Sequence, residues 1–105
     1  MGSCCGKSLL KQCKSFLSGN FFKAFSDNSR AEIVLLFMEH GQMTVGQVSE
    51  KIDINQSNVS RHLSMMHESG IMLKTKQGRE VVYRLDFNSI KANLNSFLDV
   101  LNSCC

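Results

Sequence analysis

Asn55-Gln56-Ser57-Asn58-Val59-Ser60-Arg61-His62-Leu63-Ser64-Met65-Met66-His67-Glu68-Ser69-Gly70 is the stretch that decides the fold. Val59, Leu63 and Met66 recur at i, i+4 and i+7, the period of a helix with one apolar face. Its first turn is polar apart from Val59, and Gly70 stands where helices commonly stop. Asp53 to Asn55 reads as a tight turn. Before it, Thr44 is placed to cap a short helix running through Ile52, with Val45, Val48 and Ile52 inward. Two short helices joined by a few residues, the second with a polar leading end, predict a helix-turn-helix over residues 44–69.

Upstream, Asp27 reads as the N-cap of a helix from Asn28 to His40, ended by Gly41. Its expected buried face is Ile33, Val34, Phe37 and Met38. The segment from about Lys7 to Phe25 carries Leu9, Cys13, Phe16 and Leu17, then Phe21, Phe22 and Phe25, at helical spacing. Gly19-Asn20 is expected to kink or split it. Lys7, Lys11 and Lys14 fall on the opposite, solvated face. Downstream of Gly70 the period changes. Met72–Lys76 and Val81–Leu85 are β-like and flank Gln77-Gly78-Arg79-Glu80, which predicts a hairpin, the wing. The last segment, Phe87 to Cys105, is helical, with the stripe Ile90, Leu94, Phe97, Leu98 and Leu101 and only Lys91 and Asp99 charged. A helix this apolar requires a partner surface.

The expected architecture is mainly α with a small β-hairpin: a winged helix-turn-helix, dimeric, in one domain over residues 1–105. Residues 1–26 form an N-terminal arm and dimerisation helix, 44–69 the helix-turn-helix, 72–86 the wing, and 87–105 a C-terminal dimerisation helix. Leu9, Phe16, Ile90, Leu94, Phe97, Leu98 and Leu101 are the expected dimer interface.

Composition bounds the function. The chain has 105 residues, 43% hydrophobic and 20% charged, with a formal net charge of +3. That is ordinary for a globular domain and mildly basic, so the placement of charge matters more than its sum. No run of apolar residues is long enough to span a membrane. Lysines interrupt the N-terminal apolar positions, unlike a secretory signal, and the expected location is cytoplasmic. Five cysteines, an odd number, imply free thiols rather than a disulfide framework. No Ser/His/Asp arrangement, paired carboxylates or phosphate loop suggests catalysis, so neither an enzyme nor a catalytic cofactor is expected.

The leading end of the fourth helix carries Gln56, Ser57, Asn58, Ser60, Arg61 and His62. Gln and Asn can pair bidentately with adenine and Arg with guanine in the major groove, and Ser bonds bases or phosphates. A helix N-terminus also directs backbone N–H groups at phosphate. With Lys74, Lys76 and Arg79 on the wing, these residues predict binding to double-stranded DNA. Met65, Met66 and Met72 read as packing residues, and His40 and His67 as surface or cap residues.

At this point the chain resembles the ArsR/SmtB family of bacterial winged-helix metalloregulators. Phe22-Lys23-Ala24-Phe25-Ser26-Asp27-Asn28-Ser29-Arg30 is similar to that family's F-K-A-L-x-D-P-T-R, with Asn28 in place of Pro. Asn55 to Leu63 resembles S-Q-S-x-V-S-x-H-L, Gly70-Ile71-Met72 resembles G-L-V, and Gly78-Arg79 with Tyr83-Arg84-Leu85 resembles G-R-x-x-x-Y-x-L. The resemblance implies a homodimer built from the first and last helices, and repression relieved when an effector binds. Paired recognition helices would then read an operator with an inverted repeat.

Two metal positions of that family are degraded here. Its C-x-C pair corresponds to Thr44-Val45-Gly46, with no thiol, and its D-x-H corresponds to Asp86-Phe87-Asn88, followed by Asp99 and Asn102. Without imidazoles this is a poor zinc or nickel site. The remaining candidate ligands are the vicinal pairs Cys4-Cys5 and Cys104-Cys105, with Cys13 a core residue or a third thiolate. Thiolates select soft ions, and As(III), Sb(III) or another thiophilic ion is the expected effector. Two alternatives stay open: a repressor sensing oxidants or reactive sulfur through disulfides between these thiols, and a winged-helix interaction module with no effector.

Overall fold

The structure, a computed structural model, describes residues 6–103, with Leu9 described for its backbone only. Cys4, Cys5, Cys104 and Cys105, expected as ion ligands, and the side chain of Leu9, expected at the interface, lie outside the described residues.

The chain runs α1 (Lys7–Leu17), α2 (Asn20–Lys23), α3 (Asn28–His40), β1 (Gln42–Thr44), α4 (Val45–Lys51), α5 (Gln56–Glu68), β2 (Met72–Gln77), β3 (Glu80–Leu85) and α6 (Phe87–Asn102). This is the expected helical fold with a small antiparallel sheet. The first helical stretch does split at Gly19, where the chain turns tightly enough that an added Cβ would lie 3.0 Å from the Ser15 carbonyl oxygen. Asp27 caps α3 by accepting the Ser29 N–H at 2.7 Å, and Asp86 caps α6 by accepting the Ser89 N–H at 3.0 Å.

The core gathers Ile33 and Phe37 of α3, Val48 of α4, Val59, Leu63 and Met66 of α5, and Met43, Ile71, Met72, Tyr83 and Leu85 in and beside the sheet. Phe21 and Ala24 close its α2 end. One expected core residue is corrected: Met38 is 60% exposed. It stands about 100° beyond Phe37 on the helix, off the face that meets the sheet. Leu36, on the other flank, packs against the core instead.

A strand that the sequence reading leaves as loop is present. β1 pairs antiparallel with β3, Gln42 facing Arg84, Met43 facing Tyr83 and Thr44 facing Val82. The sheet order is therefore β1-β3-β2. The wing is also longer than expected: Gln77 and Glu80 form its last pair, leaving Gly78-Arg79 as a two-residue turn. Gly78 has φ 65°, a conformation that costs a Cβ-bearing residue strain.

Phenylalanines join the terminal helices. Phe16 of α1 stacks on Phe97 of α6, with centroids 4.9 Å apart, and Phe22 meets Phe97 edge-on at 5.6 Å. Phe16 and Phe97 thus spend much of their surface on each other within one chain. Ile90 packs against the core. The outward faces of the two helices carry Leu10, Leu17, Leu94, Leu98 and Leu101, each about half exposed. No residue of α6 is buried. The radius of gyration is 16.5 Å, against about 13 Å for a compact chain of this length.

Candidate nucleic-acid interface

Local hydrogen bonding sets the two helices of the central motif. Thr44 and Gln47 form a reciprocal capping box: the Gln47 N–H donates to Thr44 Oγ1 at 3.2 Å, and the Thr44 N–H donates to Gln47 Oε1 at 2.9 Å. Each satisfies a donor that a helix start leaves without a partner. Asn55 Oδ1 accepts the Asn58 N–H at 2.9 Å and starts α5. Val59, Leu63 and Met66 are fully buried and fix the rotation of α5 about its axis.

That rotation decides which side chains face outward. Gln56, Ser57, Asn58, Ser60 and Arg61 are exposed. Ser57 and Arg61 lie opposite the buried stripe and Ser60 beside them, as steps of about 100° per residue require. Ser64 shares this exposed stripe; the sequence reading missed it because it lies past the first turn. Gln56 stands on one flank, in a groove lined by Thr44, Val45, Gly46, Glu80 and Val81, where the start of α4 meets the root of the wing.

His62 stands on the other flank and is half-buried. Its Nδ1 lies 3.5 Å from Arg30 Nη1. Of the residues expected to read DNA, it is the one held against the body of the domain. Arg30 was not singled out by the sequence reading.

On the wing, Lys74, Lys76 and Arg79 are exposed. Lys74 faces Tyr83 and Lys76 faces Val81 across the ladder, so both stand on the sheet face that continues from the core. Among the described residues, no carboxylate pairs with Arg61, Lys74, Lys76 or Arg79. The stripe on α5 and the wing therefore present unpaired donors and positive charge, a combination suited to a phosphate backbone with polar edges between its strands.

Metal ligation fares differently. Among the described residues, no group of three His, Cys, Asp or Glu could hold an ion. Asp86 is committed to capping α6, and Asn88 is exposed. Thr44-Val45-Gly46 spans the β1–α4 junction and offers no thiol. Cys13 is a half-buried free thiol on α1. Asp27, at the cap of α3, has its carboxyl held below the usual range, chiefly by the Ser29 N–H with help from Arg30. No helix among the described residues is long and apolar enough to cross a membrane.

The architecture defines a winged helix-turn-helix: a capped helix pair, with the second helix polar outward and a three-stranded wing beside it. Comparison with known proteins gives the family. The profile described as "bacterial regulatory protein, arsR family" matches residues 27–72. The chain is 44% identical over 64 residues to the arsenical resistance operon repressor of Escherichia coli K12, a match covering 61% of this chain and 55% of that protein. It is 30% identical over 74 residues to a helix-turn-helix-type transcriptional regulator of Methanocaldococcus jannaschii, covering 70% of this chain and 83% of that one. The transcriptional repressor BigR from Xylella fastidiosa superposes with a TM-score of 0.65 at 22% identity, over 90% of this chain and 95% of that one. The chain belongs to the arsR family of bacterial regulatory proteins. It spans about half the length of the arsenic-resistance regulators it matches.

Proposed function

We propose that this protein is a DNA-binding transcriptional repressor, active as a homodimer and released from its operator by a thiophilic ion such as As(III). The observation that carries the DNA reading is the exposed polar stripe of α5 set beside an unpaired basic wing. Gln56, Ser57, Asn58, Ser60 and Arg61 would enter the major groove, Gln56 and Asn58 reading adenine and Arg61 guanine. Lys74, Lys76 and Arg79 would hold the flanking phosphates.

The half-exposed leucines of α1 and α6 support a twofold partner through those helices. Two recognition helices in such a dimer would read an inverted repeat with half-sites about 34–36 Å apart. The effector reading draws on the printed names of relatives, which concern arsenical and cadmium resistance, and on the chain's own thiols. Since the described residues hold no ligand set, the ion would fall to Cys4, Cys5, Cys104 and Cys105, with Cys13 as a further thiolate. A three-coordinate soft ion needs three thiolates and a vicinal pair supplies two, so separate segments must combine.

The test starts from duplexes selected out of a random library by the reduced protein. Binding should fall steeply with salt. Titration with As(III), Sb(III), Cd(II) and Zn(II) should release the DNA with the soft ions and leave it bound with zinc. Binding of no sequence above background sinks the DNA reading. Release by an oxidant but by none of the ions would favour disulfide sensing in place of ligation.

A further inference from the structure

Arg30 reaches three segments of the chain with one rigid group. Its side chain is only 12% exposed. Nε donates to the Ala24 carbonyl at 3.2 Å and Nη2 donates to the Lys23 carbonyl at 3.0 Å, both at the end of α2; the Lys23 carbonyl also accepts the Ser26 hydroxyl at 2.9 Å. Nη1 lies 4.0 Å from Asp27 Oδ2, at the cap of α3. The same nitrogen lies 3.5 Å from Nδ1 of His62 on α5. A guanidinium has donors only, in a fixed planar fork. Of the two nitrogens, only His62 Nδ1 can accept.

The other end of this chain of contacts reaches the terminal helices. Phe22, next to Lys23 on α2, packs edge-on against Phe97 of α6 and against Phe16 of α1. From α6 the path runs through Phe97, Phe22, the last carbonyls of α2, Arg30 and His62 to α5.

We propose that Arg30 is a positioning residue for the recognition helix. It holds α5, through His62, in register with the α1–α2 arm, and His62 acts through Arg30 and is no independent base reader. This inference rests on the DNA-binding reading above. A shift of α2 relative to α3 would pull the Arg30 fork and so change the angle at which α5 is presented.

The experiment is a double-mutant cycle of Arg30→Gln and His62→Ala in the full chain, read against a duplex selected by the wild type and against random duplex. Arg30→Gln should weaken the selected duplex by roughly tenfold, in the range of measured site-to-site coupling, with random-duplex affinity and salt slope unchanged. The double variant should be no weaker than His62→Ala alone. Arg30→Lys should fail to rescue, because an ammonium cannot span the same acceptors in one plane. In nitrogen NMR spectra the His62 ring should show the Nε2–H tautomer in the wild type and a tautomer mixture in Arg30→Gln. Thermal melting of each variant separates loss of fold from loss of positioning: assays run below the lowest midpoint keep every variant folded.

Additive losses in the cycle would overturn the proposal, as would equal losses on selected and random duplex, or an unchanged His62 tautomer in Arg30→Gln. A reduced salt slope would make Arg30 a phosphate ligand and overturn it as well. If the wild type enriches no duplex at all, the DNA reading fails and takes this proposal with it. Enrichment with additive variants sinks the positioning role alone.

Discussion

Leu98→Ala is predicted to weaken self-association strongly while leaving the protomer folded. Leu98 is 51% exposed and lies on the outer face of α6, with Leu94 at 47% and Leu101 at 46% beside it. Fully burying a leucine contributes about 1.5–3 kcal/mol, so the half still open here is worth about 0.75–1.5 kcal/mol in a covered interface. A twofold dimer loses the side chain twice, giving about 1.5–3 kcal/mol. At about 1.4 kcal/mol per tenfold, the dimer dissociation constant should rise by roughly 10- to 150-fold. Sedimentation equilibrium over a concentration series measures that constant directly. Leu35→Ala supplies the control. Leu35 is 64% exposed on α3, a helix that is not part of the proposed α1–α6 interface, and its loss should leave association unchanged. A dimer constant that moves less than about threefold in Leu98→Ala, or moves equally in Leu35→Ala, would refute the assignment of α6 to the interface.

Gln56→Ala and Asn58→Ala should each cost about 1–3 kcal/mol on the selected duplex and relax base preference at one position; equal losses on random DNA would show that neither reads bases. Lys74→Ala and Lys76→Ala should weaken binding to every sequence and lower the slope of log affinity against log salt by about one unit each. Thr44→Ala removes half of the capping box and should lower unfolding free energy by about 1 kcal/mol in urea titration. The depressed Asp27 carboxyl makes a stabilising contribution that is present above the unfolded-state value and fades as pH falls through the folded one. Asp27→Asn should therefore flatten the acid limb of the stability profile below about pH 4. Replacing Cys104 and Cys105 together with Ser should reduce As(III) affinity and As(III)-induced release in parallel; an unchanged response, there and in the Cys4, Cys5 double variant, would remove the terminal thiols from sensing.

The helix-turn-helix was legible because burial there follows a period. Val59, Leu63 and Met66 repeat the helical spacing, and the polar residues between them face outward for the same reason. The caps at Asp27 and Thr44 were legible because they are local and depend on residues within a turn; Asn55 and Asp86, read as a turn residue and a degraded metal position, cap α5 and α6 in the same way. β1 was not legible: Gln42, Met43 and Thr44 are too few to show alternation, and their strand character comes from pairing with β3, some forty positions away. Arg30 escaped notice because its acceptors are backbone carbonyls, which look the same at every position of a sequence, and its histidine partner lies on another helix. The placement of Phe16 and Phe97 against each other was hidden because apolar spacing tells which side of a helix is greasy and not what covers it. The exposure of Leu10 and Leu17 was hidden for the same reason.

β1 has a mechanical consequence. It grips β3 only from Val82 to Arg84, while β2 accompanies β3 all the way to the Gln77–Glu80 pair. The wing is thus a cantilever, clamped at its root on both sides and free along one edge toward its tip. Amide protons of Val82 to Arg84 should exchange with solvent only through large-scale unfolding, and those around Gly78 and Arg79 through small local bending. Compliance would then be concentrated where Lys76 and Arg79 project, letting those cations follow a groove of varying width while the root keeps its aim.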